Sequence, residues 1–288
     1  MVAVRFLRFI LVSLLLLFYY SAVSLAMGLS SQNTLQSQNI LQNTLLALVC
    51  FLQTAVMSYP IVRSQYNGLK LILATFVIFF GVATFLTQIE TVVFLRYLVE
   101  IVPVEEIPKL FLQGLIVAAL FSISAVAVYG KLRGKDEHDI GREIRVERFS
   151  GALLSRLLAT AVIYVPLYIL FGMFVAMPLG GEAFQEYYAG LQLPPWILPF
   201  QVIRGVIWAF LALAIMWVME GGWWEKAISV ALIFSVLPAS FLLLPNPYMP
   251  EQVRFAHFVE ILSSNFLFGL IAAWLLKSPI GKPGVVPR

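Results

Sequence analysis

Apolar runs of about 20 residues, the length a helix needs to cross roughly 30 Å of hydrocarbon, recur eight times along this chain. They lie near 5–28, 43–62, 70–90, 108–129, 152–176, 199–219, 226–244 and 253–276, each bounded by short polar or charged segments. Inside lipid every backbone N–H and C=O must find its partner within the span. Runs of this length therefore predict helices, and the fold class is an all-α integral membrane protein, a single bundle of eight transmembrane helices filling 1–288. Arg5 and Arg8 before the first run and Ser24-Leu-Ala26 after it also fit a cleavable signal peptide. The run through Tyr19 and Tyr20 is long for one, so a retained helix is expected, with seven spans if it is removed.

The connections set the threading. With the N-terminus in the cytoplasm and the sides alternating, Arg5, Arg8, Arg63, Lys70, Lys131, Arg133, Lys135, Arg142, Arg145, Arg148, Arg156, Lys226, Lys277, Lys282 and Arg288 all fall inside. Only Arg96, Lys109 and Arg254 fall outside, and Arg204 is within a span. Fifteen basic residues against three satisfy the tendency of Lys and Arg to stay on the cytoplasmic side. The expected location is the plasma (inner) membrane with both termini cytoplasmic.

Three connections carry more than length. Residues 30–44 are polar but uncharged and read as a solvated helical extension of the second span. Nothing between Leu69 and Val102 breaks a helix, so the third span is expected to overrun the bilayer by its outer end. The cytoplasmic loop 131–150 mixes both signs of charge, and His138 within it reads as a solvated side chain. Pro166 and Pro238 predict kinks in the fifth and seventh spans.

Composition agrees with this picture and narrows it. Hydrophobic residues make up 61% of the chain, charged residues 12%, and the mean hydropathy is +0.91, outside the range of soluble domains. The net charge of +4 is spread over short loops, so it speaks to orientation and not to nucleic acid. The single cysteine, Cys50, excludes an internal disulfide and a cysteine metal cage. The bilayer is the one partner composition names; a small-molecule or lipid ligand is possible, and partner chains and cofactors stay unknown.

Candidate chemistry comes from the polar residues that interrupt the runs. Arg254, His257, Glu260, Ser264 and Asn265 fall within an arc of about 140° on the last helix, opposite Phe, Val, Ile and Leu. Counting outward from Lys277, Glu220 and Lys70 brings Glu260, Arg204 and the pair Gln88 and Glu90 to one depth in the outer half. Gln113 starts its span from the same side, and Gln201 shares a helix face with Arg204 and Trp208. A charge near the bilayer centre costs about 2.5–3.5 kcal/mol and usually faces a partner in the bundle interior. Arg204 and Glu260 are the expected pair, with Glu90 a competing acid and His257 able to bond either carboxylate.

The candidate ligand-binding cluster is thus Gln88, Glu90, Gln113, Gln201, Arg204, His257, Glu260 and Asn265, with no metal assigned. It predicts a polar pocket walled by the third, sixth and eighth spans that binds or transports a small polar or amphiphilic ligand. The inner half, almost free of polar side chains apart from Arg156, argues against a through-path. A membrane-embedded enzyme using His257 and Glu260 on a lipid-type substrate is the alternative, and a scaffold in which the cluster only locks helices together is a third reading. The chain has no His-Glu-x-x-His, no Gly-x-Ser-x-Gly and no phosphate-binding loop. His138 and His257 fall on opposite sides of the membrane, which excludes a bis-histidine haem.

Overall fold

The computed structural model describes residues 2–29, 36–98, 105–133 and 151–277. His138 with most of the 131–150 loop, Glu100 with the tip of the third span, and Lys282 and Arg288 lie outside the described residues. The described residues form eight helices long and apolar enough to cross a membrane, so the protein is an all-α, multi-pass membrane protein. The elements are α1 (Val2–Ala26), α2 (Gln36–Val62), α3 (Gly68–Phe80), α4 (Leu86–Glu90), α5 (Glu106–Val128), α6 (Gly151–Phe171), α7 (Met177–Tyr187), α8 (Ile197–Val218), α9 (Trp223–Ser240) and α10 (Glu251–Leu276).

Two spans depart from plain α-helix. The third runs continuously through α3, a π-helical turn at Gly81–Phe85, α4, and a second π-helical stretch at Thr91–Leu98. It is therefore helical well past Glu90, as the unbroken sequence implies. The fifth runs from α6 through a π-helical turn at Gly172–Ala176 into α7, 37 residues in all. The sequence placed the end of this span near 176; the helix instead continues through Met177-Pro178. It breaks at Gly181, whose φ of 52° and ψ of −136° a side chain would resist. Each π-helical turn carries an extra residue and re-aims the side chains beyond it.

Small residues let the helices close. A Cβ on Gly205 would collide with the backbone of Ala161, one on Gly269 with that of Ala231, and one on Gly114 with the Thr84 side chain. These contacts draw α8 onto α6, α10 onto α9, and α5 onto the third span, the close approach that membrane helices use when lipid supplies no hydrophobic drive. Between them lies an aromatic block in which Trp208 and Phe234 meet at 4.5 Å, Tyr164 and Phe268 at 5.2 Å, and Phe234 and Phe268 at 6.0 Å.

One end of the bundle is tied together by polar groups. Arg8 donates to the carbonyl of Tyr129, Lys131 to that of Ser64, and Arg156 to that of Lys277. Arg63 pairs with Glu225 at 3.0 Å, and the Glu220 N–H donates to the Arg63 carbonyl at 2.8 Å. These residues come from seven different spans or their ends, and each is one that alternation assigns to a common side. Glu90, Arg204 and His257 lie toward the opposite end.

Candidate functional site

Arg204 sits about two turns into α8, where the helix carries Gln201, Arg204, Gly205 and Trp208 on its buried face. It is 2% exposed. Its Nη2 meets Glu90 Oε2 at 2.6 Å, and its Nη1 donates to Gln201 Oε1 at 2.9 Å. Three rings surround the guanidinium, with Tyr164, Tyr168 and Phe200 centred 5.6, 5.9 and 5.9 Å from Cζ. Cation–π attraction of this kind strengthens where water is excluded. The acid partner of Arg204 is therefore Glu90 on the third span and not Glu260, the partner the sequence favours. The two acids lie at similar depth, but the turn of the third span brings Glu90 to α8 while Glu260 is turned toward α6 and α7.

Glu260 has a partner of its own. His257, one turn earlier on α10, brings Nδ1 to 2.7 Å from Glu260 Oε2, and its Nε2 lies 2.9 Å from the hydroxyl of Tyr188. Glu260 is 6% exposed, with Oε1 facing Gly172 in the π-helical turn of the fifth span. Tyr164 and Tyr168, whose rings lie against Arg204, are also near enough to feel the charges of Glu90 and Glu260. The fifth span, absent from the walls expected from sequence, thus contributes Tyr164, Tyr168 and Gly172 to this cluster.

The other candidates separate from this centre. Gln113 bonds Ser24 on α1 at 2.5 Å, on a different packing face of the bundle. Gln88, about 200° round the helix from Glu90 by ideal geometry, keeps its Oε1 buried without a partner and shares no hydrogen bond with Arg204. Asn265 is buried at 8%, about 7 Å deeper along α10 than Glu260, and no hydrogen bond joins it to the cluster.

Sequence reasoning missed four residues. Tyr164 and Tyr168 lie unremarked within the fifth apolar run, although their spacing of four puts them on one helix face. Nothing in the sequence around Tyr188 marks it as a partner of His257. Gln53 was passed over inside the second span; fully buried, it accepts from Tyr20 at 3.2 Å and donates to Ser240 at 3.1 Å. It stands about 15 Å along the helix from Arg63, near the middle of the span and apart from the Arg204 cluster. With both amide atoms engaged, this network joins α1, α2 and α9.

The chemistry open to the site is bounded by its donors. Among the described residues no group of three His, Cys, Asp or Glu side chains is placed to hold a metal ion. Arg204 Nε and Gln201 Nε2 are buried with no hydrogen-bond partner. Comparison with family models, with curated proteins and with solved structures gives no match to this chain. Function is therefore argued from the site alone.

Proposed function

We propose that this protein resides in the plasma membrane with both termini in the cytoplasm, and binds a small polar or amphiphilic ligand in the outer half of its bundle. The ligand's head is an oxyanion or another strong hydrogen-bond acceptor, received by Arg204 and Gln201. One observation carries the reading: Arg204 Nε and Gln201 Nε2, side by side on α8, are buried donors without acceptors. An unmade bond costs about 1–3 kcal/mol per buried group, and hydrocarbon offers no water to relieve it. Glu90 and Gln201 Oε1 engage Nη2 and Nη1 of the guanidinium, which leaves Nε as its donor for a guest.

Binding is the step these residues support. Transport needs a continuation inward, and the aromatic block of Tyr164, Trp208, Phe234 and Phe268 fills the core beside Arg204. The test uses purified protein in detergent with decanoate and a short-chain phosphatidic acid, against decanol and decyltrimethylammonium as neutral and cationic controls. The acids are expected to raise the thermal unfolding midpoint, and Gln201→Leu to weaken that effect by about tenfold, the value of one lost hydrogen bond to a charged group. Equal stabilisation by decanol, or an undiminished response in Gln201→Leu, refutes the reading.

A further inference from the structure

Tyr188, His257 and Glu260 form a line of hydrogen bonds that the ligand argument does not use. Several local features converge to build it. The positive φ of Gly181 kinks the outer end of the fifth span within α7, which lies against α10. Tyr187 then donates to the carbonyl of Tyr248 at 2.7 Å, fixing this end to the segment that leads into α10. The Tyr188 ring is held between Phe184 at 4.7 Å and Tyr187 at 4.8 Å, with its hydroxyl on His257 Nε2. The result is a half-buried hydroxyl, an imidazole and a deeply buried carboxylate in contact.

The order of atoms is that of a hydroxyl nucleophile with its base and orienting acid. Burial raises the Tyr188 hydroxyl well above its ordinary value, however, which disfavours the free phenolate that nucleophilic attack needs, whereas a relaying hydroxyl gives up one proton as it takes another. The same line suits proton conduction. Neutral His257 with its proton on Nδ1 donates to the Glu260 carboxylate and accepts from Tyr188. With the proton on Nε2 it donates to Tyr188 and accepts from a protonated Glu260. The cationic ring donates both ways. The last two states hold one proton more than the first, taken up through Tyr188, and all three are reached with heavy atoms left in place.

We propose that Tyr188, His257 and Glu260 constitute a proton-binding site, loaded from the end of the bundle that carries Tyr188, whose charge sets the occupancy of the neighbouring Arg204 site. The second half of this statement rests on the ligand reading above; the first does not. The titratable groups around Glu260 are His257 on its own helix, Tyr164 and Tyr168 on α6, Tyr188 after α7, and Glu90 and Arg204. From α9 the titratable groups are Glu225 and Lys226, in its first turn at the opposite end. Arg204 and Glu90 cancel one another, so a proton added to the His257–Glu260 pair raises the charge of the whole cluster by one. An acidic guest on Arg204 is then held more tightly as pH falls, and its arrival draws a proton in.

Infrared difference spectroscopy on ligand-free protein in nanodiscs tests the proton site. Stepping the pH downward is expected to produce a protonated-carboxyl stretch that Glu260→Gln abolishes, and that Tyr188→Phe retains but slows several-fold. A band that survives Glu260→Gln, or an unaltered rate in Tyr188→Phe, overturns the relay; Tyr188→Phe preserves the ring packing and serves should Glu260→Gln fail to fold. Binding of the short-chain phosphatidic acid is measured in parallel, expected to weaken with rising pH in the parent and to be flat in Glu260→Gln. A carboxyl band without any binding refutes the ligand reading and leaves the proton site standing. Binding that ignores pH in the parent overturns the coupling.

Discussion

The choice between Glu90 and Glu260 as the acid that balances Arg204 is open to a direct energetic measurement. Arg204 is 3% exposed in its side chain and Glu90 29%, with the closest N–O distance 2.6 Å. Charge centres about 4 Å apart interact by about 4 kcal/mol at an effective dielectric of 20. Desolvation offsets much of that gain, but it has been met already in folding, and deleting one partner leaves the other charge exposed to the whole penalty. Glu90→Gln is therefore expected to destabilise the bundle by about 2–4 kcal/mol. The coupling energy from a cycle of Glu90→Gln, Arg204→Met and the double variant is expected to be about 2 kcal/mol. The corresponding cycle between Glu260→Gln and Arg204→Met should give under about 0.5 kcal/mol, because each group is paired elsewhere, Arg204 with Glu90 and Glu260 with His257. The assay is reversible unfolding in mixed detergent micelles, followed by tryptophan fluorescence. A larger coupling for Glu260 than for Glu90 would refute the pairing, and with it the placement of the third span against α8.

Other consequences follow from the packing. Gly205→Val drives a side chain into the Ala161 backbone and is expected to cost about 1–3 kcal/mol in the same unfolding assay, whereas Gly151→Ala, where a Cβ meets nothing within 4 Å, should perturb the bundle far less. Gln113→Leu removes a bond to Ser24 on α1, so it should lower stability while leaving acid-dependent stabilisation by decanoate unchanged. Glu225→Gln breaks an exposed pair with Arg63 and should leave the unfolding midpoint unmoved at ordinary salt. In a Cys50→Ala background, a cysteine at Glu182 is expected to react with an impermeant maleimide on intact cells, and one at Lys131 only after lysis; the reverse pattern overturns the orientation.

How much of this was legible in the chain is best seen residue by residue. The number of spans was, because about 20 apolar residues at 1.5 Å per residue match the hydrocarbon thickness with no reference to neighbours. The grouping of Arg63, Lys131, Arg156 and Lys277 at one end was legible for the same reason, since alternation follows from counting. So was the approach of His257 to Glu260, three positions apart on one helix. Depth, the coordinate along a helix, is a property of sequence.

Rotation about the helix axis is not, and the remaining assignments depended on it. Glu90 and Glu260 stand at similar depth, and only the facing of the third span against α8 gave Arg204 to Glu90. Gln113 entered from the same side as the cluster yet faces α1. Tyr188 reached His257 because the backbone kinks at Gly181, a bend whose direction no local periodicity encodes. The sequence determined how often the chain crosses the membrane and how deep each polar group lies. Which of those groups touch was decided by how the helices turn and pack, through contacts such as Gly205 on Ala161 between residues far apart in the chain.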